Sequence, residues 1–209
     1  MSSPKQLIEG FSRFRERHFA KDDALFRELV EQGQTPKILV VACCDARVDP
    51  ALILDCAPGD LFVIRNVANL VPPAENQGHY HGTSAALEFG VRNLEVRHII
   101  VLGHAQCGGI HALLEGGVDK DDSFIAEWMG IADAAREQVE QALAGDSNNV
   151  RHRACEQQAI LVSLNNLMTF SWILERVEQG TLTLHGWYFD IERGELLGYN
   201  AAVRRFEVL

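Results

Sequence analysis

No stretch of this 209-residue chain is apolar for long enough to cross a bilayer. The longest apolar runs, residues 38–44 and 99–102, fall far short of the roughly 20 residues a spanning helix needs. The opening Met1-Ser2-Ser3-Pro4 leads into no apolar core of signal-peptide length, so the expected address is cytoplasmic. Basic charge is not in excess either. The formal net charge of -10 argues against nucleic acid or an anionic membrane as partner. The run Arg13-Phe14-Arg15-Glu16-Arg17-His18 is broken by apolar and acidic residues and reads as the wet face of a helix. Five cysteines make an odd set that does not frame a small secreted fold, which suggests a reducing compartment. There is no internal repeat and no low-complexity linker.

What is present is ordinary globular material, 47% hydrophobic and 23% charged, enough for one domain with a helical appendage. Leu7, Ile8, Phe11 and Phe14 recur at helical spacing, and so do Leu25, Phe26, Leu29 and Val30 after a cap near Asp22. Gly33 and Pro36 end this arm, which is expected to occupy residues 1–36. From residue 37 to 209 the pattern predicts an α/β domain with a mostly parallel central sheet. Residues 38–42, 61–64 and 98–102 are short continuous apolar runs of the kind buried on both faces. A helical stretch over about 83–94 separates the last two, and such alternation implies crossovers. Residues 122–144 and 151–179 have helical periodicity. Residues 181–190 read as a strand, and Glu192-Arg193-Gly194-Glu195 as a hairpin turn into 196–199.

The chemistry lies at the strand ends. Cys43 stands where the first apolar run stops, His104 where another stops, and Cys107 follows one turn later. In open α/β sheets, sites gather at the carboxyl ends of strands near a reversal of strand order. Two sulfurs and one imidazole suit zinc, and three protein ligands leave a tetrahedral ion one open position, the mark of a catalytic site. The competing interpretation makes Cys43, Cys44 and Cys107 small buried hydrophobes and His104 a hydrogen-bonded core histidine. Cys44 as a fourth ligand would close the site, but adjacent strand residues project to opposite faces. Cys56 and Cys155 read as inert thiols in apolar surroundings. Gly103, Gly108 and Gly109 bracket the second pair, where glycine lets backbone approach an ion closely. Asp45 and Arg47 offer a charged pair beside the first sulfur; an ordinary structural ion pair is the bland alternative.

Cys43-Cys44-Asp45-Ala46-Arg47-Val48 resembles the Cys-Ser-Asp-Ser-Arg-Val signature of β-class carbonic anhydrases. Gly103-His104-Ala105-Gln106-Cys107-Gly108-Gly109 resembles the second zinc motif of that family. Arg65-Asn66-Val67-Ala68-Asn69 and His185-Gly186-Trp187 also look like family segments, and the likeness runs from about Gln34 to Tyr199. The resemblance implies one Zn²⁺ per chain held by Cys43, His104 and Cys107, with Asp45 and Arg47 as the dyad beside it. It implies a homodimer or dimer of dimers with the cleft at a subunit interface. Gln34, Phe62, Val67 and Phe89 match pocket positions of the plant-type branch, although Phe89 replaces a tyrosine found in some members. A second branch closes its zinc site with the aspartate and carries a Trp-Arg-Tyr bicarbonate site. Here Val40, Arg65 and Phe189 stand at those positions, which places the chain with the open branch.

The implied activity is zinc-dependent reversible hydration of CO₂ to bicarbonate and a proton by zinc-bound hydroxide. Two thiolates oppose acidification of the bound water, so activity is expected to rise toward alkaline pH. Asp45, an acceptor-only carboxylate, is expected to orient the nucleophile, with Arg47 gripping it. Gln34 and the Gly108 amide are candidate donors to a substrate oxygen. His79 and His81, beside Tyr80, are candidate proton relays whose blander reading is surface loop; His111 and His185 read as structural. The rivals are hydrolysis of carbonyl sulfide or carbon disulfide on the same scaffold, and a zinc-stabilised binding or redox module with a closed Cys₃His site.

Overall fold

The computed structural model describes residues 3–19, 25–75, 81–116 and 123–209. The chain forms two compact units, Met1–Thr35 and Pro36–Leu209. The first unit holds α1 (Pro4–Phe19) and α2 (Leu25–Gln32). The expected cap at Asp22 lies outside the described residues. The two helices meet through aromatic rings, Phe14 edge-on to Phe26 at 5.4 Å and Phe19 stacked on Phe26 at 5.0 Å. Leu7, Ile8 and Phe11 keep an apolar stripe of α1 exposed.

The second unit is built on a six-stranded sheet in the order β2-β1-β3-β4-β5-β6. Its strands are β1 (Ile38–Cys43), β2 (Leu61–Asn66), β3 (His98–His104), β4 (Thr183–Asp190), β5 (Glu195–Asn200) and β6 (Arg205–Val208). The first four are mutually parallel where they pair, and β4, β5 and β6 run antiparallel. The apolar runs of β1 and β3 are buried on both faces, whereas β2, at the edge of the sheet, is only partly buried and leaves Val63 exposed. Leu39, Val41, Ile99 and Val101 enter one core, while Val40, Ala42, Ile100 and Leu102 enter another. The chain leaves β1 for β2 on one side and β3 adjoins β1 on the other, so strand order reverses at β1. Ala42 pairs with Leu102, which places Cys43 and His104 side by side at the carboxyl edge.

Several elements differ from expectation. The start of the expected 122–144 helix, Asp122, lies outside the described residues. The remainder divides into α6 (Phe124–Met129), a 3₁₀ turn over Gly130–Ala132 and α7 (Asp133–Ala142). The 151–179 stretch is two helices, α8 (Asn148–Leu167) and α9 (Ser171–Glu178), because Phe170 turns extended ahead of Ser171. The 83–94 helix is α4 (Gly82–Glu88) closed by a wide π turn over Phe89–Asn93. The helices α3 (Pro50–Ile53) and α5 (Gly108–Glu115), and the edge strand β6, carried no clear sequence signal. Among the described residues no helix is long and apolar enough to cross a membrane.

Candidate metal centre

Three elements converge on one buried point. Cys43 closes β1, His104 closes β3, and Cys107 is the N-cap of α5. The two sulfurs and one ring nitrogen lie within 4.8 Å of one another, and all three residues are buried. The His104 Nδ1 sits 2.9 Å from the Ala105 carbonyl, which makes Nδ1 the protonated nitrogen and leaves Nε2 its lone pair. That Nε2 is buried without a hydrogen-bond partner among the described residues. A buried orphan imine nitrogen facing two sulfurs is what a zinc ligand set requires, so the residues fit the ion. Cys44 is exposed and outside the cluster, which removes the basis for a closed Cys₃His set.

The electrostatics favour a thiolate at Cys43. Hydrogen bonding with Cys107 pulls its pKa down to about 4 against the cost of burial, helped by His104 and the Asp45 and Ala68 amides. Cys107 moves up, because the proton shared with Cys43 stays on it and burial adds to the shift. Burial opposes the charged form of His104, but the nearby Cys43 sulfur and the Ala105 carbonyl favour it and raise the pKa. Cys155 is fully buried and pushed up to about 12 by desolvation, an inert thiol. Cys56 is only half-buried and faces Asp60 and Asp55; its pKa rises through desolvation first and those carboxylates second.

Asp45 and Arg47 form a closed fork beside Cys43. Arg47 Nε donates to Asp45 Oδ1 at 2.9 Å and Nη2 to Oδ2 at 2.6 Å, while the Arg47 amide also donates to Oδ1 at 2.9 Å. These bonds to Arg47 hold the Asp45 carboxyl far below the usual carboxylate range. Arg47 Nη2 further reaches the Gln106 carbonyl at 3.0 Å, tying the first motif to the second. Gln106, Ala68 and Asn69 all carry positive φ without being glycine, so backbone strain gathers around the centre.

The pocket residues separate into groups. Val67 packs against the Cys43–Cys107 cluster, and Gly108 opens α5 with free space where a Cβ would stand. Phe62 and Phe89 stack on each other at 5.9 Å, but Phe62 pairs with Leu39 near the start of β1. Four residues of strand, about 13 Å, separate that level from Cys43. Gln34 is an exposed residue of the first unit. His79 and Tyr80 lie outside the described residues, and His81 is exposed ahead of α4. Gly103 serves packing rather than access to an ion, since a Cβ there would stand 2.7 Å from Ile160 on α8.

Sequence reasoning missed the supports. Arg65 donates to the Cys43 carbonyl at 2.8 Å, to the Asp45 carbonyl at 2.7 Å and to Asp49 at 3.0 Å, and so fixes the whole 43–49 loop. Glu156 on α8 accepts the Cys107 amide at 3.0 Å and the Tyr188 hydroxyl at 2.7 Å. Burial raises the Glu156 pKa despite these bonds. A charged residue within the buried i, i+3, i+4 stripe of α8 was the available signal.

The carbonic anhydrase family profile matches residues 38–196. A carbonic anhydrase of Synechocystis is 38% identical over 205 residues, covering 97% of this chain and 73% of that protein. Beta carbonic anhydrase 5, chloroplastic, of Arabidopsis thaliana is 40% identical over 185 residues, covering 88% of this chain and 60% of its own length. The solved structure of the beta-carbonic anhydrase CcaA superposes with a TM-score of 0.93 at 36% identity, over 100% of both chains.

Proposed function

Because the chain belongs to the β-carbonic anhydrase family, we propose that it catalyses the reversible hydration of CO₂ to bicarbonate and a proton at the Cys43–His104–Cys107 centre. The observation that carries this reading is the buried, unpartnered His104 Nε2 facing two sulfurs, with an Asp–Arg fork alongside. Zinc, when bound by these three residues, supplies the Lewis acidity that ionises water near neutral pH.

The remaining steps belong to the chain. Asp45, held ionised by Arg47, has only acceptor capacity, so it orients a nucleophile by taking its proton in a hydrogen bond. The fork also keeps the carboxylate engaged away from the metal ligands, which supports the open-site reading. The Gly108 amide, at the positive end of α5, is a donor toward oxygen that gains charge as bicarbonate forms. Val67 presents an apolar wall beside Cys107. Gln34 is assigned to substrate oxygen by its family position. Phe62 and Phe89 are too far along the sheet to wall the Cys43 centre of their own chain, and we assign them to the cleft of a second copy in a homodimer or dimer of dimers.

The test is metal content and CO₂ hydration on the purified protein, with sulfide release from carbonyl sulfide and carbon disulfide assayed alongside. One zinc per chain with CO₂ turnover, both abolished in Cys43→Ser, is the expected result. Sulfide release without CO₂ hydration would transfer the assignment to the hydrolase.

A further inference from the structure

Among the described residues, a second group of metal-ligating side chains converges away from the first: His111 and Glu115 on α5, and His152 on α8. Each offers a ligand atom within 4.8 Å of the others. His111 and Glu115 stand four residues apart and so share one helix face, with His152 opposite.

A tilted histidine pair with a surface carboxylate nearby would be the bland account, and the spacing of the ligand atoms weighs against it. The His152 side chain is only 9% exposed, and its Nε2 is turned toward the Glu115 carboxylate. Its Nε2 lies 3.7 Å from the Glu115 carboxylate, too far for a hydrogen bond. Two donors on one tetrahedral ion at about 2.0–2.1 Å stand roughly 3.3–3.4 Å apart, close to that spacing. The imidazoles of His111 and His152 lie tilted by 42° with centroids 3.6 Å apart, an arrangement that protonation of both would make repulsive. Burial first, and the neighbouring His111 second, lower the His152 pKa, which favours the neutral form that ligates metals.

We propose that His111, Glu115 and His152 form a second metal site, for a divalent transition ion of the zinc, cobalt or nickel class. Two imidazoles and one carboxylate without sulfur select these borderline ions over calcium or magnesium, which want oxygen donors. The site opens to solvent through Glu115, and both histidines line a cavity of about 260 Å³ that Glu156 and Glu192 also border. The exposed Glu192 carboxylate favours a cation there, while both Glu156 oxygens are already engaged by Cys107 and Tyr188. Arg153, on the same wall, is already paired with Asp190 at 2.7 Å.

The position ties the site to the rest of the molecule. The His111 amide donates to the Cys107 carbonyl at 3.0 Å, and Glu156, one turn beyond His152 on α8, accepts the Cys107 amide. An ion between α5 and α8 therefore clamps the two elements that hold Cys107. Because the thiolate centre has the softer donors, zinc fills it first and the second equivalent goes to the histidine pair.

The experiment titrates the zinc-loaded full chain with Co²⁺, followed by calorimetry, absorption and thermal unfolding. A second equivalent should bind, show ligand-field bands without a sulfur-to-cobalt charge-transfer band, and raise Tm by mass action. Glu115→Gln and His111→Ala should each weaken that equivalent about tenfold or more while retaining the first zinc. Cys43→Ser should lose the first ion and keep the second, so failure here is distinguishable from failure of the carbonic anhydrase assignment. Binding of one equivalent only, or a second equivalent unaffected in the Glu115→Gln/His111→Ala double variant, overturns the proposal. Glu115 is exposed, so its variant reads out even if the His111 variant does not fold.

Discussion

Asp45 spends three of its acceptor positions on a single neighbour, the Arg47 side chain and amide. A carboxylate so held is fixed in direction, and fixed direction is what orienting a nucleophile demands. Asp45→Asn keeps the shape but loses the charge that grips Arg47. It should retain zinc and lose about 10–100-fold in turnover, measured by metal analysis and stopped-flow CO₂ hydration. Simultaneous loss of zinc would reduce Asp45 to a scaffold residue. Arg65 acts instead through the backbone, with hydrogen bonds to two carbonyls and Asp49. Arg65→Met leaves those carbonyls unsatisfied and should cost about 1–3 kcal/mol in chemical denaturation. A smaller change would mean that water replaces the guanidinium without loss.

Helix α8 and strand β3 meet too closely to admit a side chain at Gly103. Gly103→Ala drives its Cβ to within 2.7 Å of Ile160, and the overpacking should cost about 1–3 kcal/mol in thermal unfolding. Ile160→Val removes the nearer methyl and should recover part of the loss. The β4–β5 hairpin depends on a charge at its corner. Asp190 is fully buried, accepts from the Glu192 and Arg193 amides and pairs with Arg153 at 2.7 Å. Burial pushes its pKa up, but the Arg153 bond and charge outweigh burial and leave it lowered. A carboxyl lowered on folding stabilises the protein above its unfolded value, near 3.9, and that stability fades as pH falls through the folded value. Asp190→Asn should therefore cost about 1–3 kcal/mol at neutral pH, and the deficit against wild type should shrink in acid. A deficit independent of pH would assign the loss to the turn rather than the charge.

In the proposed homodimer, a second copy would supply what one chain leaves apart. If Phe62 and Phe89 wall the cleft of a second copy, two defective chains complement each other. Mixing Cys43→Ser with a Phe62→Ala/Phe89→Ala variant under subunit exchange should restore roughly a quarter of wild-type sites, because each mixed dimer rebuilds one of two. No recovery despite confirmed exchange would place both rings in the chemistry of their own chain or outside it altogether.

Local pattern was enough to place the strands β1 to β4, since β1 and β3, buried on both faces, are apolar throughout and a parallel sheet needs helices between; that β2 is a partly exposed edge was not legible. It was also enough to bring Cys43, His104 and Cys107 to one edge, because ligands at strand ends follow the topology. The breaks at Gly130 and Phe170, the edge strand β6 and the helix α5 were not legible, because tertiary packing overrides weak local preference there. Nor was the duty of Arg65, Glu156 or Gly103, whose partners lie 16 to 57 residues away in sequence. Donor chemistry is a property of residue type and strand position, so the chain alone declared it. Which proton, carbonyl or second imidazole each donor meets is a property of distance across the packed core, and only folding decides that.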